Sequence, residues 1–288
     1  MADLDLRPLS LGEILDRTFS LYRRNFLLFA GITAIPQLLI LALRLAGMLL
    51  ATERSRAGAP LEQLQSRTAD GLLAFGIIGV VVALIVYWVV YVFAQGGTVY
   101  AVSELYLGRS TTIGAALGRV RGQLLILLAV TGFNFLAVMG AFIFLIIPGI
   151  YVGCRLLTCV PAALLEDLGP IASLERSFKL TKDYAGRSFV IYLLYTALVY
   201  AAAFLFTFPF GVAMGLSAKN PEAVRLFLAL SHVGEFVAGV LVGPVLTIAT
   251  AVFYYDLRVR KEAFDLQFMM NPTGPMAPGA PGVAKTFS

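Results

Sequence analysis

Six apolar stretches set the limits on this chain, at residues 26–50, 71–94, 124–147, 150–165, 189–216 and 224–255. A hydrocarbon core about 30 Å thick asks roughly 20 mostly apolar residues of each crossing helix. Inside it every backbone N–H and C=O must be paired within the segment. Stretches this long and this poor in charge predict an all-α polytopic integral membrane protein with six transmembrane helices. Composition agrees: 59% of the residues are hydrophobic and 14% are charged, against about 25% charged in soluble domains. The apolar pattern of the second stretch continues to Leu107, so its helix is expected to project beyond the bilayer. Pro36 should kink the first span. Pro148 and Gly149, with no charge nearby, are expected to form a tight turn between the third and fourth.

Lysine and arginine orient the spans, because cytoplasmic loops carry more of them. With the N-terminus inside, the inner segments hold fifteen and the outer segments five, while Arg44 and Arg155 lie within spans. Both termini are therefore expected on the cytoplasmic side of a cell membrane. The acidic residues Asp3, Asp5, Glu13 and Asp16 ahead of the first span are the wrong flank for a cleaved signal. No basic stripe with interleaved aromatics stands outside the spans, so nucleic acid is not an expected partner. Cys154 and Cys159, five apart in one apolar stretch, read as small buried apolar side chains rather than a disulfide or metal pair.

Three inner segments look alike: "LSLGEILDRTFSLYRRNFLLF", "STTIGAALGRVRGQLLILL" and "PIASLERSFKLTKDYAGRSFVIYLL". Each carries Leu-x-Arg, at Leu15 with Arg17, Leu117 with Arg119, and Leu174 with Arg176, and each leads into an odd-numbered span. The first is amphipathic, with Leu11, Ile14, Leu15, Thr18, Phe19, Tyr22 and Phe26 on one face, the pattern of a helix lying in the interface. The third places Ile171, Leu174, Phe178 and Ala185 on one side. One six-span domain over residues 1–268 would then hold three parallel units, 8–107, 108–168 and 169–268, each an interfacial helix plus two spans. The shared demand for a basic inner helix would produce a similar likeness without true repetition. Residues 269–288 are Pro/Gly-rich and read as a disordered cytoplasmic tail.

"LRPLSLGEILDRTFSLYRRNF", "IPGIYVGCRLLTCVPAALLEDLGPIASLERSFKLTK" and the closing "YYDLRVRKEAFDLQ" together resemble the glycerophosphoryl diester phosphodiesterase membrane-domain family of prokaryotes. The likeness runs from about Leu6 to Gln267. It implies a prokaryotic membrane protein whose relatives in some cases carry a separate soluble phosphodiesterase domain. That chemistry needs two histidines and a metal-binding carboxylate cluster. This sequence has one histidine, His232, so the resemblance implies the membrane part alone.

Polar residues inside spans are candidate sites. Arg155 could hold an anionic ligand or a carboxylate of a neighbouring helix, or serve structure alone. His232 and Glu235, three apart on the last span, share a face and could relay a proton or pair with Arg155. Arg44 is expected to snorkel, and Glu166 and Asp167 to be ordinary boundary residues. In the closing stretch, Tyr254 and Tyr255 are expected at the interface. Asp256 with Arg260, Arg258 with Glu262 and Lys261 with Asp265 are helical pairs that let the helix continue into water, and Tyr254, Leu257, Phe264 and Phe268 form an apolar stripe. No phosphate-binding loop, nucleophile elbow or zinc motif occurs, and no cofactor is expected.

These readings favour a non-enzymatic multi-pass membrane protein, a scaffold or lipid-contacting module. Its cytoplasmic surface for anionic head groups or a protein partner would comprise Arg17, Arg23, Arg24, Arg119, Arg176, Lys179, Arg258, Arg260 and Lys261. The alternative is a permease for a small or amphipathic solute, which requires Arg155, His232 and Glu235 to line one path. An intramembrane lipid enzyme ranks third, for want of a nucleophile or paired carboxylates.

Overall fold

The structure, a computed structural model, describes residues 7–56 and 67–262, with side chains omitted at 51, 53–56 and 67–77. The expected tail at 269–288, the apolar pair Phe264 and Phe268 and the Asp265 partner of Lys261 lie outside these residues. Eleven helices and no strand occur among the described residues. Six segments are long and apolar enough to cross a membrane: Phe26–Leu50, Ile78–Tyr106, Ile113–Phe144, Ile146–Leu165, Ala185–Leu216 and Pro221–Glu262. The fold is thus all-α and polytopic. Ile143, Phe144 and Leu216 are 80%, 83% and 85% exposed, an arrangement that suits lipid as the surrounding solvent.

α1 (Leu11–Arg24) opens with a capping box. The Ser10 hydroxyl accepts the Glu13 N–H at 3.3 Å, and the Glu13 carboxylate accepts the Ser10 N–H at 2.6 Å. Two of the helix's orphan amides are satisfied this way. The amide and side chain of Ser10, then the Arg7 guanidinium, hold the Glu13 carboxyl down at about 2. A carboxyl depressed in the folded state stabilises above its unfolded value and loses that effect as pH falls through the folded one. The cap is therefore expected intact at pH 5 and lost between about 4.5 and 2. Ser10→Ala should cost about 1 kcal/mol of helix stability and flatten that acid transition, read by amide exchange at the start of α1.

After a one-residue break at Asn25, α2 (Phe26–Arg56) runs unbroken across Pro36. α3 (Arg67–Tyr106) reaches within one residue of the expected end. α4 (Ile113–Val120), capped by Thr112, passes through a 3-10 turn into α5 (Leu124–Phe144). The turn to α6 (Ile146–Arg155) is made by extended backbone at Leu145, and not at Pro148 and Gly149 as expected. Pro148 instead lies in the first turn of α6, where its missing N–H would have had no helical partner. The fourth span is two helices, α6 and α7 (Cys159–Leu165). α8 (Pro170–Thr181) starts on a proline and precedes α9 (Ala185–Phe206), which breaks at Thr207 into α10 (Phe208–Leu216). α11 (Pro221–Glu262) has 42 residues. At 1.5 Å per residue it is about 63 Å long, twice the hydrocarbon core.

Two compact units divide the described chain. The first takes residues up to Ile32, then Val92–Leu198, then the chain from Gly243. It holds one apolar core, in which Phe29, Ile32, Val99, Val102, Leu127, Val130, Ile191 and Val252 are fully or almost fully buried. The second takes Thr33–Tyr91 and Val199–Val242. There Gly234 lies so near the Phe206 carbonyl that a Cβ would stand 2.1 Å from it. The division falls within spans and does not follow the expected repeat boundaries at 107 and 168.

Candidate functional site

Where α6 ends, residues 156–158 leave the helix and free backbone carbonyls, which must find donors in an apolar surrounding. α8 supplies them with a stripe of hydroxyls at Ser173, Ser177 and Thr181, all fully buried. The Ser177 and Thr181 hydroxyls lie 2.8 and 2.9 Å from the Arg155 carbonyl, and Ser177 meets Thr158 at 3.0 Å. The polar stripe faces the protein. The apolar stripe does not: Ile171 is 68% exposed, and Leu174 and Phe178 are half-buried. α8 therefore offers an apolar face outward, as an interfacial helix does.

Arg155 closes this junction. Its Nε donates to Thr181 Oγ1 at 3.2 Å, Nη1 to the Tyr151 hydroxyl at 2.7 Å and Nη2 to the Phe178 carbonyl. The guanidinium also lies 5.6 Å from the Tyr151 ring centre and 5.1 Å from that of Phe178. Beside it runs an open groove of about 450 Å³, lined by Ile171, Leu174, Phe178, Lys179 and Lys182 and by the Glu175 carboxylate.

The last turns of α11 form the second constellation, and here expectation and structure part. Residues from Ala251 to Val259 are buried, with Tyr254 and Tyr255 inside the protein core. Arg258 is 1% exposed and Glu166 4%. Glu166, expected as a boundary residue, is the hub. It accepts both contacts from Arg176 Nε, at 2.8 and 3.0 Å, and the Tyr254 hydroxyl at 2.6 Å, with Arg258 Nε 4.0 Å away. Glu262 joins the same two arginines, 3.1 Å from Arg258 and 2.5 Å from Arg176. Burial alone would lower the Arg176 pKa; Glu166 and Glu262 outweigh it and raise it. Asp167, which follows the hub, takes a positive φ of 51° and accepts from Gln123.

A second buried carboxylate, Asp256, accepts the Leu9 amide at 2.7 Å, Arg260 Nε at 3.0 Å and Arg187 Nη1 at 3.4 Å. Arg187 and Arg260 also donate to the Leu9 carbonyl. Tyr255 meets Ser103 at 2.7 Å and stacks on Tyr106, whose hydroxyl accepts from Arg17 at 2.9 Å. The expected helical pairs Asp256 with Arg260 and Arg258 with Glu262 are both present, but inside the protein.

The second unit holds its own charged cluster. Arg44, expected to snorkel, is ion-paired with Glu235 and approaches His232 Nδ1 at 3.4 Å. The shared face of His232 and Glu235 is as expected. Their cation is Arg44, while Arg155 has its partners within the first unit. Of the nine residues expected on the basic surface, Arg23, Arg24, Arg119 and Lys179 are exposed. Lys261 is exposed but tied to the Lys179 carbonyl and Asp183. Arg17 is half-buried against Tyr106, and Arg176, Arg258 and Arg260 are drawn into the buried ionic network. The cysteines are free and buried; Cys159 accepts from Asn134 at 3.4 Å. No group of three or more metal-ligating side chains occurs among the described residues. Comparison with protein-family models, with characterised proteins and with solved structures finds no match.

Proposed function

We propose that this chain is a non-enzymatic membrane module that contacts anionic lipid head groups, with its interfacial helices and both termini on the cytoplasmic side. One observation carries the reading: a pair of exposed cations stands at each of the three places where an interfacial helix leads into an odd-numbered span. Arg23 and Arg24 end α1, Arg119 and Arg121 flank the end of α4, and Lys179 and Lys182 flank the end of α8. The anionic inner leaflet attracts each such cation by about 1 kcal/mol. The buried arginines are neutralised internally and add to the fold instead. The resemblance to the glycerophosphoryl diester phosphodiesterase membrane domain, joined in some relatives to an enzyme, fits a module that positions partners at a membrane.

The test is lipid retention. The full chain is purified in mild detergent from its host membrane, and bound lipids and proteins are measured by mass spectrometry. Anionic phospholipid should be enriched over its share of that membrane. The enrichment should vanish in a variant with Arg23, Arg24, Arg119, Arg121, Lys179 and Lys182 all changed to glutamine. Equal lipid composition in both proteins would sink the reading. The permease alternative rests on the Arg44, His232 and Glu235 cluster within spans. Solute or proton flux into liposomes that is abolished by Glu235→Gln would place it first.

A further inference from the structure

We infer that the groove between Arg155 and α8 is a discrete binding site for one anionic phospholipid, with the phosphate on Arg155, Lys179 and Lys182 and the apolar part on Ile171, Leu174 and Phe178. The inference deepens the proposed lipid contact by assigning it a specific seat.

Arg155 is the first ground. A guanidinium has five N–H donors, and three of those of Arg155 are spent on Thr181, Tyr151 and the Phe178 carbonyl. All three partners are neutral, and no carboxylate pairs with Arg155 among the described residues. One N–H on each Nη remains, the fork that matches two phosphate oxygens. Cations in or near the hydrocarbon are usually neutralised by a partner. Every other half-buried or buried arginine of this unit that lies close to a carboxylate has used it: Arg176 and Arg258 with Glu166 and Glu262, Arg187 and Arg260 with Asp256.

The groove's lining is the second ground. Three cations and one carboxylate, Glu175, line it, a net excess of two positive charges. The rest is apolar, on the outward stripe of a helix whose polar stripe is already used by the protein. A small hydrophilic anion would leave that floor wet. A lipid phosphate joined to glycerol and acyl chains covers both parts, and the volume lies in the range of ligand pockets. Tyr151 and Phe178, stacked about the guanidinium, fix it in place, so little ordering is required on binding.

The experiment is native mass spectrometry of the delipidated full chain titrated with phosphatidylglycerol, with phosphatidylcholine as the neutral probe. One phosphatidylglycerol should bind ahead of all others and survive collisional activation. Arg155→Gln should weaken that first binding about ten-fold, the loss of a charge-assisted pair. Lys179→Glu with Lys182→Glu, two exposed changes that spare the Arg155 hydrogen bonds, should weaken it as much. Arg23→Gln with Arg24→Gln should leave it unchanged. Inorganic phosphate at matching concentration should not displace the lipid. Equal first binding in wild type and both groove variants would overturn the site while leaving the broader lipid reading to the retention assay. Displacement by inorganic phosphate would overturn it too, because the apolar floor would then contribute nothing. A single Arg155-dependent lipid without bulk enrichment would uphold the site and reject the broader reading.

Discussion

Glu166→Ala is expected to abolish the stable protein, or to lower its apparent melting midpoint by roughly 10 °C. The reason is what the carboxylate leaves behind. Glu166 is the buried acceptor for both Arg176 contacts and for the Tyr254 hydroxyl, and it faces Arg258 at 4.0 Å. Removing one partner of a buried ion pair strands the other, at a cost of about 3–5 kcal/mol. Glu262 remains and can satisfy only part of two guanidinium groups. Glu166→Gln discriminates between shape and charge: it can still accept the Tyr254 hydroxyl but cannot neutralise an arginine. It should therefore lie nearer to alanine than to wild type in a heating series read by size-exclusion chromatography. Glu175→Gln, an exposed carboxylate nine positions along, should stay within about 0.5 kcal/mol of wild type. Wild-type behaviour of Glu166→Gln would mean that packing and not charge holds this region together.

That network also shows where sequence reading stopped. The number of membrane-length apolar segments and the short helices ahead of the odd-numbered ones were legible, because membrane thickness and helical period are properties of a single segment. The shared face of His232 and Glu235 was legible for the same reason. Burial of "YYDLRV" was not. Tyrosines followed by charges have the local pattern of a helix leaving the bilayer, and only tertiary pairing turns that pattern inward. A signal did exist. Glu166 and Asp256 each close a long apolar run, and cations stand at the ends of neighbouring segments in the same layer. Acidic groups so placed, amid many arginines, are natural counter-ions. The Ser173, Ser177 and Thr181 stripe, spaced at i, i+4 and i+8, was a second missed signal. It marks the face of α8 that meets the broken span, whereas attention to apolar residues alone selects the outward face. Arg44 against Arg155 could not be resolved by spacing, since both lie in spans and the choice depends on which helices pack together.

Asp256→Asn should free the segment leading into α1 before it unfolds the rest. Asp256 is buried and joins three donors: the Leu9 amide at 2.7 Å, Arg260 and Arg187. Asparagine offers one acceptor oxygen where the carboxylate offered two, and its NH₂ group would point at cations. Either the Leu9 amide or a guanidinium must then lose its partner, at about 3 kcal/mol for a buried charge left unpaired. Leu9 is 1% exposed, so its amide has no water to turn to. Hydrogen exchange at residues 7–14 should rise well above wild type. Ser10→Ala, which removes only a helix cap, should raise exchange in the same region by much less. If Asp256→Asn lowers global stability yet leaves exchange at Leu9 unchanged, then Arg187 and Arg260, which both donate to the Leu9 carbonyl, hold the segment without the carboxylate. The clamp would then be cationic, and Arg260→Gln would become the variant that releases α1.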